Sequence, residues 1–109
     1  MRLDGLRAVD SRKITHYLLA AEHPRGGSKA AYFSHFGFDI ADPTTFEYAL
    51  LRHPLDNDIL VVKDTARGRV SVVKCSILTP DGRNPCIISV WIKQGDTAAQ
   101  RFVTAYPAR

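Results

Sequence analysis

The chain has 109 residues, of which 45% are hydrophobic and 24% charged, with a formal net charge of +4. This composition excludes a disordered chain and the length leaves no room for a second core, so we expect a single domain over residues 1–109. No apolar run approaches the roughly 20 residues that span a bilayer, and Met1–Arg7 lacks the apolar core of a secretory signal. We therefore expect a cytoplasmic protein without membrane contact. The positive charge mildly favours an anionic partner such as nucleic acid, and a merely solvated basic surface is the alternative.

Residues 10–55 are predicted to form a helical half. A first helix begins at Asp10 or Ser11, which can cap it, and ends before the proline and glycines of His23–Gly27. Its buried face follows the helical spacing of Ile14, Tyr17, Leu18 and Ala21.

Two further helices are predicted in this half. One runs from Ser28 to about Phe36, with Gly37 as its C-cap. The other begins at Asp42–Pro43, because proline suits the first helical position, and ends at His53–Pro54. The inward residues of these two helices are predicted to be Ala30, Phe33, Phe36, Phe46, Ala49 and Leu50.

Residues 58–107 are predicted to form a sheet, because the apolar pattern changes to a period of two. Short connections imply that neighbouring strands are antiparallel. The four strands are Ile59–Lys63, Arg69–Leu78, Cys86–Lys93 and Arg101–Tyr106. The predicted fold is therefore α+β, with two to three N-terminal helices packed on a four-stranded antiparallel sheet.

The Thr79–Arg83 turn sets the register of the central hairpin. A three-residue loop there pairs Ser76 with Cys86 and places Cys75 opposite Ile87. In this register the two sulfurs lie on opposite sheet faces, so we predict two free thiols. No metal-ligand spacing is present, and we expect neither a metal nor a cofactor.

The same register divides the strands into two faces. Val70, Val72, Ile88, Val90 and Ile92 are predicted to pack on the helices, together with Val103 and Ala105. The opposite, open face would then carry Ser71, Val73, Ser89, Trp91, Lys93, Phe102, Thr104 and Tyr106. Such a face suits base stacking and phosphate binding. In the alternative interpretation, Trp91 and Phe102 are covered by a helix or loop, or form a partner surface.

The histidines are the other candidates for chemistry, because no nucleotide-binding, metalloprotease or hydrolase motif is present. His16 and His35 are assigned to surface or packing positions, and His53 to a helix end where a charged ring meets the helix dipole. His23 adjoins a glycine loop that leads to Lys29, and with Arg25 this segment could hold a phosphate. An ordinary helix–loop–helix turn is the alternative.

Several segments resemble one family. His23–Phe33 with Gly37-Phe38 matches an HPxGxxKAxFF…GF signature, and Thr79–Arg83, Val90–Ile92 and Phe102–Pro107 match its later parts in order. The resemblance covers about residues 12–107 and is to small bacterial domains of unknown function, found alone or at the C-terminal ends of toxin-like proteins. That family is similar in layout to ribonucleases of the barnase, EndoU, colicin and RelE type, whose exposed sheet face carries the active site.

The resemblance implies a metal-independent endoribonuclease toxin in which the ribose 2′-OH attacks the adjacent phosphorus. His23 would be the base or acid, Lys29 would stabilise charge, Thr104 would bind a phosphate oxygen, and Tyr106 would donate a proton or stack a base. The implied partners are RNA and a cognate antitoxin or immunity protein. The residues expected to bind nucleic acid are Arg25, Arg83, Trp91 and Lys93. One departure is that no obvious second histidine precedes Gly68.

Two other functions fit the same residues. One is a non-catalytic protein-binding module, an inhibitor or immunity-like partner that uses the open face. The other is an RNA-binding domain that does not cleave.

Overall fold

The computed structural model describes residues 1–3, 5–14, 27–95 and 99–108. These residues form a helical turn, two longer helices and five strands. In chain order they are β1 (Arg7–Ala8), α1 (Ser11–Lys13), α2 (Gly27–His35), α3 (Pro43–Asp56), β2 (Ile59–Thr65), β3 (Gly68–Ser76), β4 (Cys86–Lys93) and β5 (Gln100–Pro107). No helix among them is long and apolar enough to cross a membrane.

The strands form one mixed sheet in the order β1-β5-β4-β3-β2. The four predicted strands are present and antiparallel to their neighbours, which confirms the α+β class. The predicted strand count is wrong by one, because β1 pairs in parallel with β5 through Arg7↔Gln100 and Ala8↔Arg101. A two-residue strand is too short to show any period in the sequence.

The core lies between α2, α3 and one face of the sheet. Three rings form its centre, with centroids 4.7 Å apart for Phe33 and Phe46 and 4.3 Å apart for Phe38 and Phe46. The predicted inward residues of α3 are buried. On the sheet side this cluster is completed by Val73, Ile77, Ile87, Trp91, Phe102 and Ala105.

The two predicted sheet faces have the right members but the wrong orientation. Ser71, Val73, Ser89 and Trp91 are buried and face the helices, whereas the valines and isoleucines expected there are only partly buried on the other side. We call that other side the open face; on β3 and β4 it consists of Val70, Val72, Lys74, Ile88, Val90 and Ile92. Its aliphatic side chains resembled a core pattern because β-branched residues favour strands whichever face they occupy.

A β-bulge in β5 explains a second correction. Trp91 pairs with Phe102 and Val90 with Thr104, so Val103 is an extra residue between them. The bulge reverses the alternation. Phe102 and Ala105 therefore both face the core, while Thr104 and Tyr106 lie on the open face opposite Val90 and Ile88. The interpretation in which Trp91 and Phe102 are covered is confirmed, since they are 0% and 3% exposed.

The end of α3 differs from the prediction at His53–Pro54, because the helix continues to Asp56. Proline removes one backbone donor, and the carbonyls at the end of the helix find side-chain donors instead. Arg2 Nη1 donates to the carbonyl of Leu55 at 2.6 Å, and Asn57 Nδ2 donates to that of His53 at 3.0 Å.

His53 is buried, at 1% exposure, rather than charged at a helix end. Its Nε2 lies 2.7 Å from the carbonyl oxygen of Cys75, which can only accept, so Nε2 carries the ring proton. Nδ1 then accepts from the Ser89 hydroxyl at 2.8 Å, and Ser89 Oγ accepts from Trp91 Nε1 at 2.9 Å. Burial lowers the pKa of His53, although the Cys75 carbonyl acts in the opposite direction. The predicted charged ring is therefore wrong.

The central hairpin has the predicted register, with Ser76 opposite Cys86 and Cys75 opposite Ile87. Both thiols are free, as predicted. Their predicted separation on opposite faces is wrong, because Cys75 has a φ of 145° that disturbs the alternation. Burial, together with a hydrogen bond to the Cys75 thiol, raises the pKa of Cys86 to about 11.

Candidate active site

Three of the four predicted catalytic residues meet at the edge of the open face. Lys29 Nζ donates to Thr104 Oγ1 at 2.9 Å. The same ammonium lies 5.8 Å from the centroid of the Tyr106 ring, within the range of a cation–π contact. Lys29 and Thr104 are 75 positions apart in the chain, so the fold brings them together. We call Lys29, Thr104 and Tyr106 the lysine cluster.

The positions of these side chains follow from the packing on either side. Ala30 and Phe33 anchor α2 in the core, which leaves Lys29, in the first turn, half-buried beside β5. On β5 the buried Ala105 lies between Thr104 and Tyr106, so strand alternation sends both of these outward. Tyr106 is 36% exposed and can therefore be reached from solvent.

A second ammonium reaches the same stretch of β5. Lys13 Nζ, from α1, donates to the carbonyl of Val103 at 3.0 Å. Val103 is the bulged residue, and a bulge leaves its backbone partly outside the ladder. Lys13 was not predicted from the sequence, because a lysine on a helix is ordinarily solvated. Nothing in the sequence indicated the bulge whose carbonyl group accepts from it.

The surface beside the lysine cluster is mainly aliphatic, with one further lysine, Lys74, opposite Ile88. Tyr106 pairs with Ile88 and Thr104 with Val90, and Val72 lies opposite Val90 on β3. None of these residues carries a carboxylate. The cluster therefore combines a cation, a hydroxyl and a phenol on an apolar support, which suits an anionic ligand with apolar parts.

Arg83 lies at the other end of α2. Its Nη2 donates to the carbonyl of His35 at 2.7 Å, and its guanidinium lies 4.5 Å from the centroid of the Phe36 ring. The Asp81 carboxylate accepts hydrogen bonds from both the side chain and the backbone N–H of Arg83. The bond from the backbone N–H is the main cause of the low pKa of Asp81, about 2. These contacts tie the Thr79–Arg83 turn to the C-terminus of α2, where a cation is favourable.

Two of the remaining predicted site residues, Trp91 and Lys93, are not brought to the lysine cluster. Trp91 is fully buried, which contradicts its predicted place on the open face. Lys93 follows it by two positions and lines cavities on the helix-packed side of the sheet. His23 and Arg25 lie outside the described residues.

The hydrogen bond within the lysine cluster has a definite direction. An ammonium can only donate, so Thr104 Oγ1 accepts from Lys29 and keeps its own O–H for another acceptor. Two donors, the ammonium and the hydroxyl, are thereby held side by side, with the Tyr106 phenol next to them. Elsewhere in the described part of the chain, no group of three histidine, cysteine, aspartate or glutamate side chains could hold a metal ion.

Comparisons with known proteins agree with the fold and the sequence resemblance. The profile of a family described as a domain of unknown function, DUF6883, matches residues 5–109. A contact-dependent growth inhibition toxin–immunity protein complex from Klebsiella pneumoniae 342 contains a chain of similar fold, with a TM-score of 0.71 and 16% identity. That match covers 92% of this chain and 98% of the other, and at this identity it concerns the fold alone. The search of curated proteins gives no match.

Proposed function

This chain belongs to the DUF6883 family of domains of unknown function, and we propose that it is a toxin that cleaves RNA at the lysine cluster. The observation that carries the proposal is the 2.9 Å contact between Lys29 Nζ and Thr104 Oγ1, with the Tyr106 phenol beside it. The fold shared with a chain of a growth inhibition toxin–immunity complex supports a toxin system.

The proposed reaction is attack of a ribose 2′-OH on the adjacent phosphorus, giving a 2′,3′-cyclic phosphate and a free 5′-OH. It needs a base for the 2′ proton, an acid for the leaving 5′-oxygen, and positive charge for the phosphorane. A phosphate bound between Lys29 Nζ and the Thr104 hydroxyl would receive two hydrogen bonds. Tyr106 would give its phenolic proton to the 5′-oxygen. His23, outside the described residues, stays the sequence-based candidate for the base.

The test is to incubate RNA with the purified protein in the presence of a chelator and to analyse the products for 2′,3′-cyclic phosphate ends. Removal of a positioned charge or donor costs about 10²–10³ in rate, so we expect losses of that order for Lys29→Ala and a smaller loss for Thr104→Val. Tyr106→Phe removes the proposed acid, and general acid catalysis contributes about 10²–10⁴. Tyr48→Phe is the matched control, because Tyr48 is 61% exposed on α3.

If all three variants cleave as the wild type does, the lysine cluster is not the active site. If RNA is bound but recovered intact, the protein is an RNA-binding domain that does not cleave. Expression in a bacterium gives an independent measure, since the wild type should arrest growth and Lys29→Ala should not.

A second candidate is a protein-binding module of the immunity type. The observation in its favour is that the open face is mainly aliphatic on β3 and β4, through Val70, Val72, Ile88, Val90 and Ile92, and protein interfaces use such surfaces. This candidate predicts a stable complex with a toxin chain, no RNA product and no growth arrest. Val72→Asp would then abolish the complex, whereas a ribonuclease site would depend on Lys29 instead.

A further inference from the structure

A cavity lies on the helix-packed face of the sheet, among residues that belong to no described helix. Its volume is about 350 Å³, within the range of small-molecule sites. Its floor comes from β3, β4 and β5, and the N-terminal segment closes one side. The lining residues used below are Arg2, Ile59, Val62, Arg69, Lys93 and Gln100.

The cavity carries an excess of positive charge. Arg2 Nε pairs with Asp58 at 2.9 Å, and Arg69 Nε pairs with Asp64 at 2.9 Å. Within the described part of the chain, nothing pairs with the third cation, Lys93, whose side chain is half-buried. A half-buried ammonium to which no described residue supplies a counter-charge attracts an anion more strongly than a solvated one does.

Gln100 supplies the second, independent observation. It is 5% exposed, and its backbone N–H donates to the Leu6 carbonyl at 2.7 Å. Its side-chain Oε1 has no partner, and it is the one such buried side-chain atom among the described residues. Buried polar groups are nearly always hydrogen-bonded, so an acceptor that no described residue satisfies calls for a further donor.

Taken together, these features describe a ligand with three parts. Lys93 requires an anionic oxygen, Gln100 Oε1 requires an N–H or O–H donor, and Ile59 and Val62 offer an apolar wall. A nucleotide has a phosphate, ribose and base donors, and a flat apolar ring. We propose that this cavity binds a nucleotide, with its phosphate on Lys93 and a base or ribose donor on Gln100.

This site is separate from the lysine cluster and does not depend on RNA cleavage. Lys93 follows the alternation of Trp91 and Ser89 on the helix-packed face, whereas Thr104 and Tyr106 lie on the open face. The nucleotide could be a free mononucleotide or one unit of an RNA strand, and the two sources share the chemistry that the cavity recognises.

The experiment is calorimetric titration of the whole protein with four nucleoside monophosphates, the matching nucleosides, inorganic phosphate, and a short RNA with a 5′-phosphate. We expect a nucleoside monophosphate to bind at least tenfold more tightly than its nucleoside or inorganic phosphate. Loss of one charge-assisted contact weakens binding by about 10- to 100-fold, which is the effect expected of Lys93→Ala. Lys63→Ala is the matched control, since Lys63 pairs with Val70 and faces the other side of the sheet.

Gln100→Leu separates a binding role from a structural one. The substitution removes a buried acceptor without a partner, so Tm should rise or stay level. Nucleotide affinity should nevertheless fall by about tenfold or more, because the ligand donor loses its acceptor. A merely structural glutamine would give the opposite result, a lower Tm with unchanged affinity.

The remaining outcomes also decide the question. Binding of the RNA alone, weakened more by Lys93→Ala than by Lys63→Ala, supports the site and assigns it to an RNA nucleotide. Equal affinity for inorganic phosphate and nucleotide would overturn the proposal, because the cavity would then recognise only the negative charge of the ligand. Binding that is lost in Lys29→Ala but kept in Lys93→Ala would place the nucleotide at the lysine cluster and overturn it as well.

Discussion

The hydrogen-bond chain through Ser89 gives a sharp test of the core. Trp91 Nε1 donates to Ser89 Oγ at 2.9 Å, and the Ser89 hydroxyl donates to His53 Nδ1 at 2.8 Å. All three residues are buried, at 0–1% exposure. Ser89→Ala removes one oxygen atom and leaves both the indole N–H and the imidazole nitrogen without a partner.

The expected cost follows from counting these two groups. A buried polar group that loses its partner costs about 1–3 kcal/mol, so Ser89→Ala should lower the free energy of unfolding by about 2–6 kcal/mol. Small domains are stable by roughly 5–15 kcal/mol, and the variant would therefore lose a large part of its stability. Most single substitutions cost less than this.

Urea unfolding at pH 8, where His53 is neutral, measures the difference. With a slope of about 1–3 kcal/mol per molar urea, the midpoint should fall by about 1 M or more while the slope stays unchanged. Ser34→Ala is the control, since Ser34 is exposed on α2 and surface changes usually stay within about 0.5 kcal/mol. A Ser89→Ala midpoint equal to that of the control would refute the hydrogen-bond chain.

Three further outcomes follow from the structure. Burial lowers the pKa of His53 in the folded protein. The free energy of unfolding should therefore be highest above the unfolded pKa of about 6.5 and should decrease as the pH falls through the pKa of the folded state. A free energy of unfolding that stays constant between pH 8 and 5 would contradict this. Gly68→Ala should lower the free energy of unfolding by about 2 kcal/mol or more, because its φ is +142° and a Cβ there would lie 2.6 Å from the Lys93 carbonyl oxygen; an unchanged thermal midpoint would argue against that close approach. Finally, iodoacetamide at pH 8 should modify the exposed Cys75 before Cys86, whose pKa of about 11 leaves little thiolate; peptide mass spectrometry that finds Cys86 labelled first would reverse the assignment.

The sequence contained enough to predict the class of the fold and much of its register. Strand period located β4 at Cys86–Lys93, and the turn residues set the pairing of Ser76 with Cys86. These features are local, since they depend on neighbouring residues and on turn geometry. The β1–β5 pairing was missed because it joins residues from the two ends of the chain.

The orientation of the sheet was not predictable from the pattern. One face carries Trp91 and two serines, and the other carries mainly valines and isoleucines on β3 and β4, with Lys74 opposite Ile88. Counting apolar residues favours the second face as the core. The polar groups of the first face can be buried because His53 of α3 accepts from Ser89, and Ser89 accepts from Trp91; no strand period encodes such a contact between elements.

The lysine cluster was found in sequence by resemblance, and only part of it can be located. Lys29 reaches Thr104 and lies near Tyr106, a proximity that the sequence left open. Trp91 was placed on the open face because strict alternation assigned it to the same side as Phe102 and Thr104. The extra residue in β5 places Phe102 on the core face and Thr104 on the open face. No turn residue or proline in the sequence marks the position of this bulge.

The bulge at Val103 also determines which changes in β5 a relative could accept. Substitutions at Thr104 or Tyr106 alter the surface and leave the packing of Ala105 in place. Loss of Val103 would leave Phe102 opposite Trp91 and Thr104 opposite Val90 in a regular ladder, so every later side chain would keep its face. Thr104 and Tyr106 would stay on the open face, and Ala105 would stay in the core. A member of the family could therefore lack the bulged residue and still present this surface, whereas a second extra residue in the strand would have to be accommodated by another bulge.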